Sequence, residues 1–88
     1  MSSYIDQNQQ AYQQGERKAH EDLNVRSAQA NLTAWVHIAE LIACRIDYLE
    51  LALGSILPAE ERGTLDRDRH EIAGYIAVLR DHLAEQAT

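Results

Sequence analysis

Phenylalanine is absent from the 88-residue chain, and cysteine, proline, tryptophan, methionine and lysine each occur once. The single cysteine, Cys44, has no second thiol in its own chain, so the fold is not a disulfide-stapled miniprotein. Eight basic residues against fourteen acidic ones leave a net charge of −6. A duplex-binding domain concentrates Lys and Arg to displace condensed counterions, so direct nucleic-acid binding is disfavoured. The acidic balance fits a basic protein partner, imitation of a nucleic-acid backbone, or a plain solvated face. Long apolar runs are missing as well. Glu40, Arg45, Asp47 and Glu50 interrupt the richest region well before the roughly 20 residues that a bilayer span requires. Met1 to Gln14 is polar and lacks the apolar core of a secretory signal. Together these absences predict a soluble, cytoplasmic protein with no membrane partner. At this length residues 1–88 form one domain, which removes only about 60–65% of its unfolded surface from water.

A strand pattern is also lacking: no polar–apolar alternation persists for more than a few residues, and β-branched residues are scattered. The remaining periodicity is helical. Residues 1–24 are polar, with a glutamine-rich stretch from Gln7 to Gln14, and Ile5, Tyr12, Ala19 and Leu23 make a thin stripe at helical spacing. Ser2 or Ser3 suits the cap of this helix and Asp6 its positive end, while Gly15 in mid-pattern costs about 1 kcal/mol relative to alanine. Residues 25–53 carry the strongest signal. Leu32, Trp35, Ala39, Ile42, Ile46, Leu49 and Leu53 alternate by three and four, Val36 and Ala43 widen the stripe, and Ile38, Leu41, Tyr48, Leu51 and Ala52 lie mostly off it. Neither glycine nor proline falls between Glu16 and Leu53, so one continuous rod and a bent pair of helices are both compatible with the sequence.

Gly54 to Pro58 reads as the break, with Pro58 to Arg62 as one short turn and Gly63 as a second interruption. A third helix is then expected from Leu65 to Gln86, started by Thr64 or by an Asp68–Glu71 capping box, with a stripe of Leu65, Ile72, Tyr75, Ile76, Leu79 and Leu83. Gly74 inside it would let another backbone come close. The expected fold is all-α: an antiparallel helical hairpin over residues 25–86 preceded by a polar N-terminal helix.

A hairpin has one internal interface and cannot shelter both sides of its more apolar member. The second side is left to the polar first helix in a monomeric bundle, or to another copy of the chain. The second arrangement, a dimeric or larger helical bundle, is favoured because exposed apolar patches usually mark interfaces. Trp35, Ile38, Leu41, Tyr48 and Leu51 are the candidate self-association residues.

Chemistry-bearing residues are sparse. His37, Glu40 and Cys44 share one side of the second helix, yet a closed metal site needs a fourth ligand and no paired spacing supplies one. Glu-x-x-His pairs are absent, and Asp66-Arg67-Asp68-Arg69 reads as helix-start charge and exposed ion pairs. There is no glycine-rich phosphate loop, and Cys44 has no assigned base; an enzyme is not expected, nor a cofactor. Arg17, Lys18, His20 and Arg26, with Tyr12 before them, form the one locally basic area, interleaved with Glu16, Glu21 and Asp22.

The expected function is that of a small acidic, non-enzymatic protein that binds a macromolecular partner and regulates or inhibits it. An adaptor or an inhibitor of phage or plasmid type would have this form. Its partners are then itself and an unidentified protein, which the acidic and tyrosine-bearing surfaces of helices one and three would occlude. Tyr4, Tyr12, Arg17, Lys18, Arg26 and Asp66 are the candidate contact residues. Two other classes stay open: an oligomeric module holding an anionic small ligand such as a nucleotide near Tyr12, Arg17, Lys18 and Arg26, and a metal-binding helical bundle.

Overall fold

The computed structural model describes residues 3–26 and 31–87, with side chains from residue 7 onward. Three helices account for all of them but Asn31 and the link at 54–58: α1 (Ser3–Arg26), α2 (Leu32–Leu53) and α3 (Ala59–Ala87). There is no strand among the described residues. None of the described helices is long and apolar enough to cross a membrane.

Of the two readings of the first half of the chain, the uninterrupted rod is set aside. Helix α1 ends at Arg26, so Val25 belongs to it, and α2 starts afresh at Leu32. Asn31 starts it: its backbone is extended (φ −82°, ψ 96°) and its side chain accepts the Ala34 N–H at 3.1 Å. That is an N-cap geometry, in which a side-chain oxygen satisfies an amide the helix cannot. At the far end the Gly54 N–H donates to the Glu50 carbonyl at 2.9 Å, and the Ile56 and Leu57 amides turn back onto the Leu53 carbonyl.

The start of α3 corrects the expected one. It begins at Ala59, with the Pro58 carbonyl accepting the Arg62 N–H, and runs straight through Gly63. Gly63 is exposed, and a side chain added there would meet nothing. One glycine costs a helix about 1 kcal/mol, too little to break one that begins with Glu60 and Glu61 at its positive end. Thr64 therefore lies mid-helix and donates back to the Glu60 carbonyl, while Glu71 turns across to Lys18 on α1. Neither is a cap. At 29 residues α3 is about 43 Å long by the rise of an α-helix, matching the 43 Å long axis of the whole molecule.

Helix α3 is the central element, in contact with both others, whereas no Cα of α1 comes within 8 Å of one of α2. On one side Lys18 meets Glu71 at 2.6 Å and Asp22 meets Tyr75 at 2.5 Å. Both partners advance by four residues together, so α1 and α3 run the same way. On the other side Glu40 pairs with Arg80 and Glu50 lies 3.8 Å from Arg69, so α2 runs in the opposite sense.

The α1–α3 contact is made at backbone distance. A Cβ built on Gly15 would overlap the Glu71 carbonyl and stand 2.9 Å from the Tyr75 nitrogen. One built on Gly74 would overlap the Tyr12 carbonyl. Only glycine permits this approach. Among the described side chains of α1 the buried ones are Ala11, Gly15, Ala19 and Leu23, one every four positions, so the helix presents a ridge of mostly small side chains to its neighbour. Beside this contact lies the apolar core: Ala19, Leu23, Leu32, Val36, Ala39, Ile76, Val78 and Leu79, with Trp35, Ala43, Ile72, Tyr75 and Leu83 packed against it.

Candidate interaction site

Helix α2 buries only a narrow strip. Leu32, Val36 and Ala39 face α3, whereas Ile38 and Leu41 are each 56% exposed, Ile42 49%, Tyr48 64% and Leu51 88%. Ile42, placed by its spacing on the core stripe, is thus at the surface: the buried line follows 32, 36 and 39, in steps of four and three, and leaves Ile42 beside it. Four of the five candidate self-association residues, Ile38, Leu41, Tyr48 and Leu51, are exposed together on this one helix.

The fifth, Trp35, has another task. Half-buried, it donates its indole N–H to the Tyr75 hydroxyl at 3.0 Å, and the two rings lie 6.4 Å apart, tilted by 59°. The Tyr75 hydroxyl in turn donates to an Asp22 carboxylate oxygen at 2.5 Å. This relay joins all three helices through one phenol, and no sequence spacing announces it because its members are 13 and 40 residues apart. Burial, and then the hydrogen bond to the Asp22 carboxylate, favours the neutral phenol and pushes the Tyr75 pKa up to about 12. The unfolded phenol ionises near 10, so between pH 10 and 12 the folded chain holds the extra proton and stability falls as pH rises; below pH 10 the contribution is complete. Phenolate absorbance across an alkaline titration checks this. The wild-type minus Tyr75→Phe difference should show a phenol titrating late, whereas a difference curve centred near 10 would contradict the relay.

Between α2 and α3, on the side reached by Lys18, lies an open groove of about 410 Å³. Trp35, Ile38, Ile42, Ile46, Ile72 and Tyr75 give it an apolar lining, and Lys18, Asp68 and Glu71 form its margin. Glu71 holds Lys18 at 2.6 Å, a contact that raises the lysine pKa above its usual value.

The remaining candidate residues are dispersed. Arg17 is exposed on α1 beside Gln10, Gln13, Gln14 and His20, on a different part of the surface from the Lys18–Glu71 pair. Tyr12 is half-buried and its carbonyl abuts Gly74. Arg26 is exposed near Asp22 and the Trp35–Tyr75 pair. The side chain of Tyr4 lies outside the described residues. Asp66, read from the sequence as an exposed charge, is 7% exposed. Its carboxylate binds Arg69 and its carbonyl contacts the His70 ring nitrogen at 2.8 Å, so little of it is open to a partner. The hydrogen bond to Asp66 raises the Arg69 pKa.

His37 and Cys44 are exposed, and Glu40 is tied to Arg80. The structure brings no three His, Cys, Asp or Glu side chains into a metal-binding group among the described residues. Cys44 lies at the margin of an open groove between α2 and α3, beside Ala43 and Asp47 and across from Ala73 and Ala77. No family model matches the chain, and no curated protein and no solved structure matches it.

Proposed function

We propose that this chain is a small acidic protein that acts by binding, with no reaction of its own: a helical module that assembles with itself and regulates or inhibits a macromolecular partner. The exposed apolar face of α2 carries the reading. Ile38, Leu41, Ile42, Tyr48 and Leu51 are all exposed on one helix of a 9.9 kDa protein, and this much large apolar surface on one element is unusual for chains that work alone. Antiparallel α2 and α3 form the hairpin, α2 supplies the self-association face, and the charged outer surface of α1, with Arg17 and His20, is left for the partner.

Affinity capture with the purified chain as bait, followed by assay of each retained protein with and without the chain, tests this function. One protein should be retained in stoichiometric amount, its activity should change on addition of the chain, and Arg17→Glu together with His20→Glu should release it. Retention of nothing beyond what the doubly substituted bait retains would overturn the proposal.

A further inference from the structure

The groove between α2 and α3 has the form of a seat for a helix. Its α2 wall is the row Ile38, Ile42 and Ile46, and its α3 side carries Asp68 and Ile72, again four residues apart. Rows at this spacing are the ridges between which another helix packs. At the Trp35–Tyr75 end the groove passes into a second open hollow that reaches Ala34. From Ala34 to Ile46 the trough therefore follows α2 for about 18 Å, a little over three helical turns. Other occupants fit less well. An extended peptide finds no sheet edge to join among the described residues, and a small molecule would stay largely uncovered in so open a groove.

The margin holds one carboxylate more than it holds cations. Glu71 takes Lys18 at 2.6 Å, whereas Asp68, exposed beside them, makes no hydrogen bond or salt bridge among the described residues. Arg69, its neighbour in sequence, turns away to Asp66 and Glu50. At the far end of the trough Arg26 and Asp22 stand together and their charges offset. A purely apolar helix laid over Asp68 would strip water from an unpaired carboxylate, a cost that a cation on the incoming helix removes. The net charge of −6 also draws a basic segment in from a distance.

We infer that this groove docks an amphipathic helix of a partner protein, apolar at i, i+4 and i+7 against the isoleucine row and carrying a lysine or arginine at the end that reaches Asp68. The inference goes beyond the proposed function. It uses neither Arg17 nor His20, and Leu41, Tyr48 and Leu51, which do not line the groove, are left for self-association.

Trp35 lies in the groove and is the only tryptophan of the chain, so its fluorescence reports occupancy. The probes are two tryptophan-free synthetic helices with leucine at i, i+4 and i+7, one with lysines in its end turns and the other with glutamates at the same positions. The lysine peptide should shift the Trp35 emission saturably at physiological salt, with a dissociation constant at least about tenfold below that of the glutamate peptide. Ile42→Glu should abolish the response. Asp68→Lys should remove the preference between the peptides. Both positions are exposed, so helical circular dichroism should not change.

No Trp35 response to either peptide overturns the inference, as does equal affinity for the two. A preference that survives Asp68→Lys overturns it too, because it would then express only the overall charge of the chain. A wild-type dimer in sedimentation that binds neither peptide and that Ile42→Glu dissociates assigns the groove to a second copy and likewise overturns it. In each case affinity capture with the Arg17→Glu, His20→Glu bait judges the proposed function separately.

Discussion

Gly74→Ala is expected to destabilise the protein by about 2–3 kcal/mol, as an overpacked contact does, although the same change stabilises most helices. A Cβ there falls on the Tyr12 carbonyl and 3.3 Å from the Glu16 nitrogen, both backbone atoms of α1 that no rotamer change can move aside. Helix α1 must retreat along its whole contact with α3, loosening Ala11, Ala19 and Leu23 together. Gly15→Ala should behave alike, because its Cβ meets the Glu71 carbonyl. Gly63→Ala is the control on the same helix as Gly74. Its added methyl reaches open space, so it should stabilise by about 0.5–1 kcal/mol. Thermal melts of the three variants settle the matter: Gly74→Ala and Gly15→Ala should melt roughly 10–20 °C lower and Gly63→Ala slightly higher. Equal shifts at 63 and 74 would mean that α1 and α3 do not meet at backbone distance.

Leu79→Ala should cost about 3–4 kcal/mol, within the range seen for truncating enclosed leucines. Leu79 has no exposed surface and is the largest fully buried side chain described. It belongs to the core cluster that draws on all three helices, so the void opened by truncation is walled from several sides and collapses poorly. Leu79→Met, close in volume, should cost less than about 1.5 kcal/mol. Urea titration measures both, and a Leu79→Ala cost below about 1 kcal/mol would place the residue outside the core. The stability of a domain this size is of the order of 5–10 kcal/mol, so a loss of 3–4 is a large share of it.

Leu79 was legible beforehand: the 72–76–79–83 spacing on α3 is long and strong, and Ile76 and Leu79 on it are buried. The exposed apolar face of α2 was legible for a similar reason, since apolar residues covering most of a helix cannot all face a single neighbour. The way α1 docks was not. A search for large apolar residues sees only a thin stripe there and counts Gly15 as a cost, whereas the useful signal is the four-residue recurrence Ala11, Gly15, Ala19, Leu23. Small residues bind by what they leave out, and apolar periodicity does not register that. Gly74 was read as a place of close approach, but its partner glycine sits 59 positions away and nothing local links the two. Gly63 misled for the opposite reason: a breaker by propensity, it stands on an exposed turn where its cost is small. Asp66 looked like surface charge because its run alternates in sign, yet helical geometry turns it inward onto Arg69.

Because α1 and α2 each pack their backbones on α3 and meet one another only through side chains, with no Cα of one within 8 Å of the other, the two outer helices can loosen separately. Amide hydrogens in the middle of α3 should then be the last to exchange with heavy water, after those of either neighbour. A molecule built this way can loosen one flank to engage a target while the opposite flank keeps its grip.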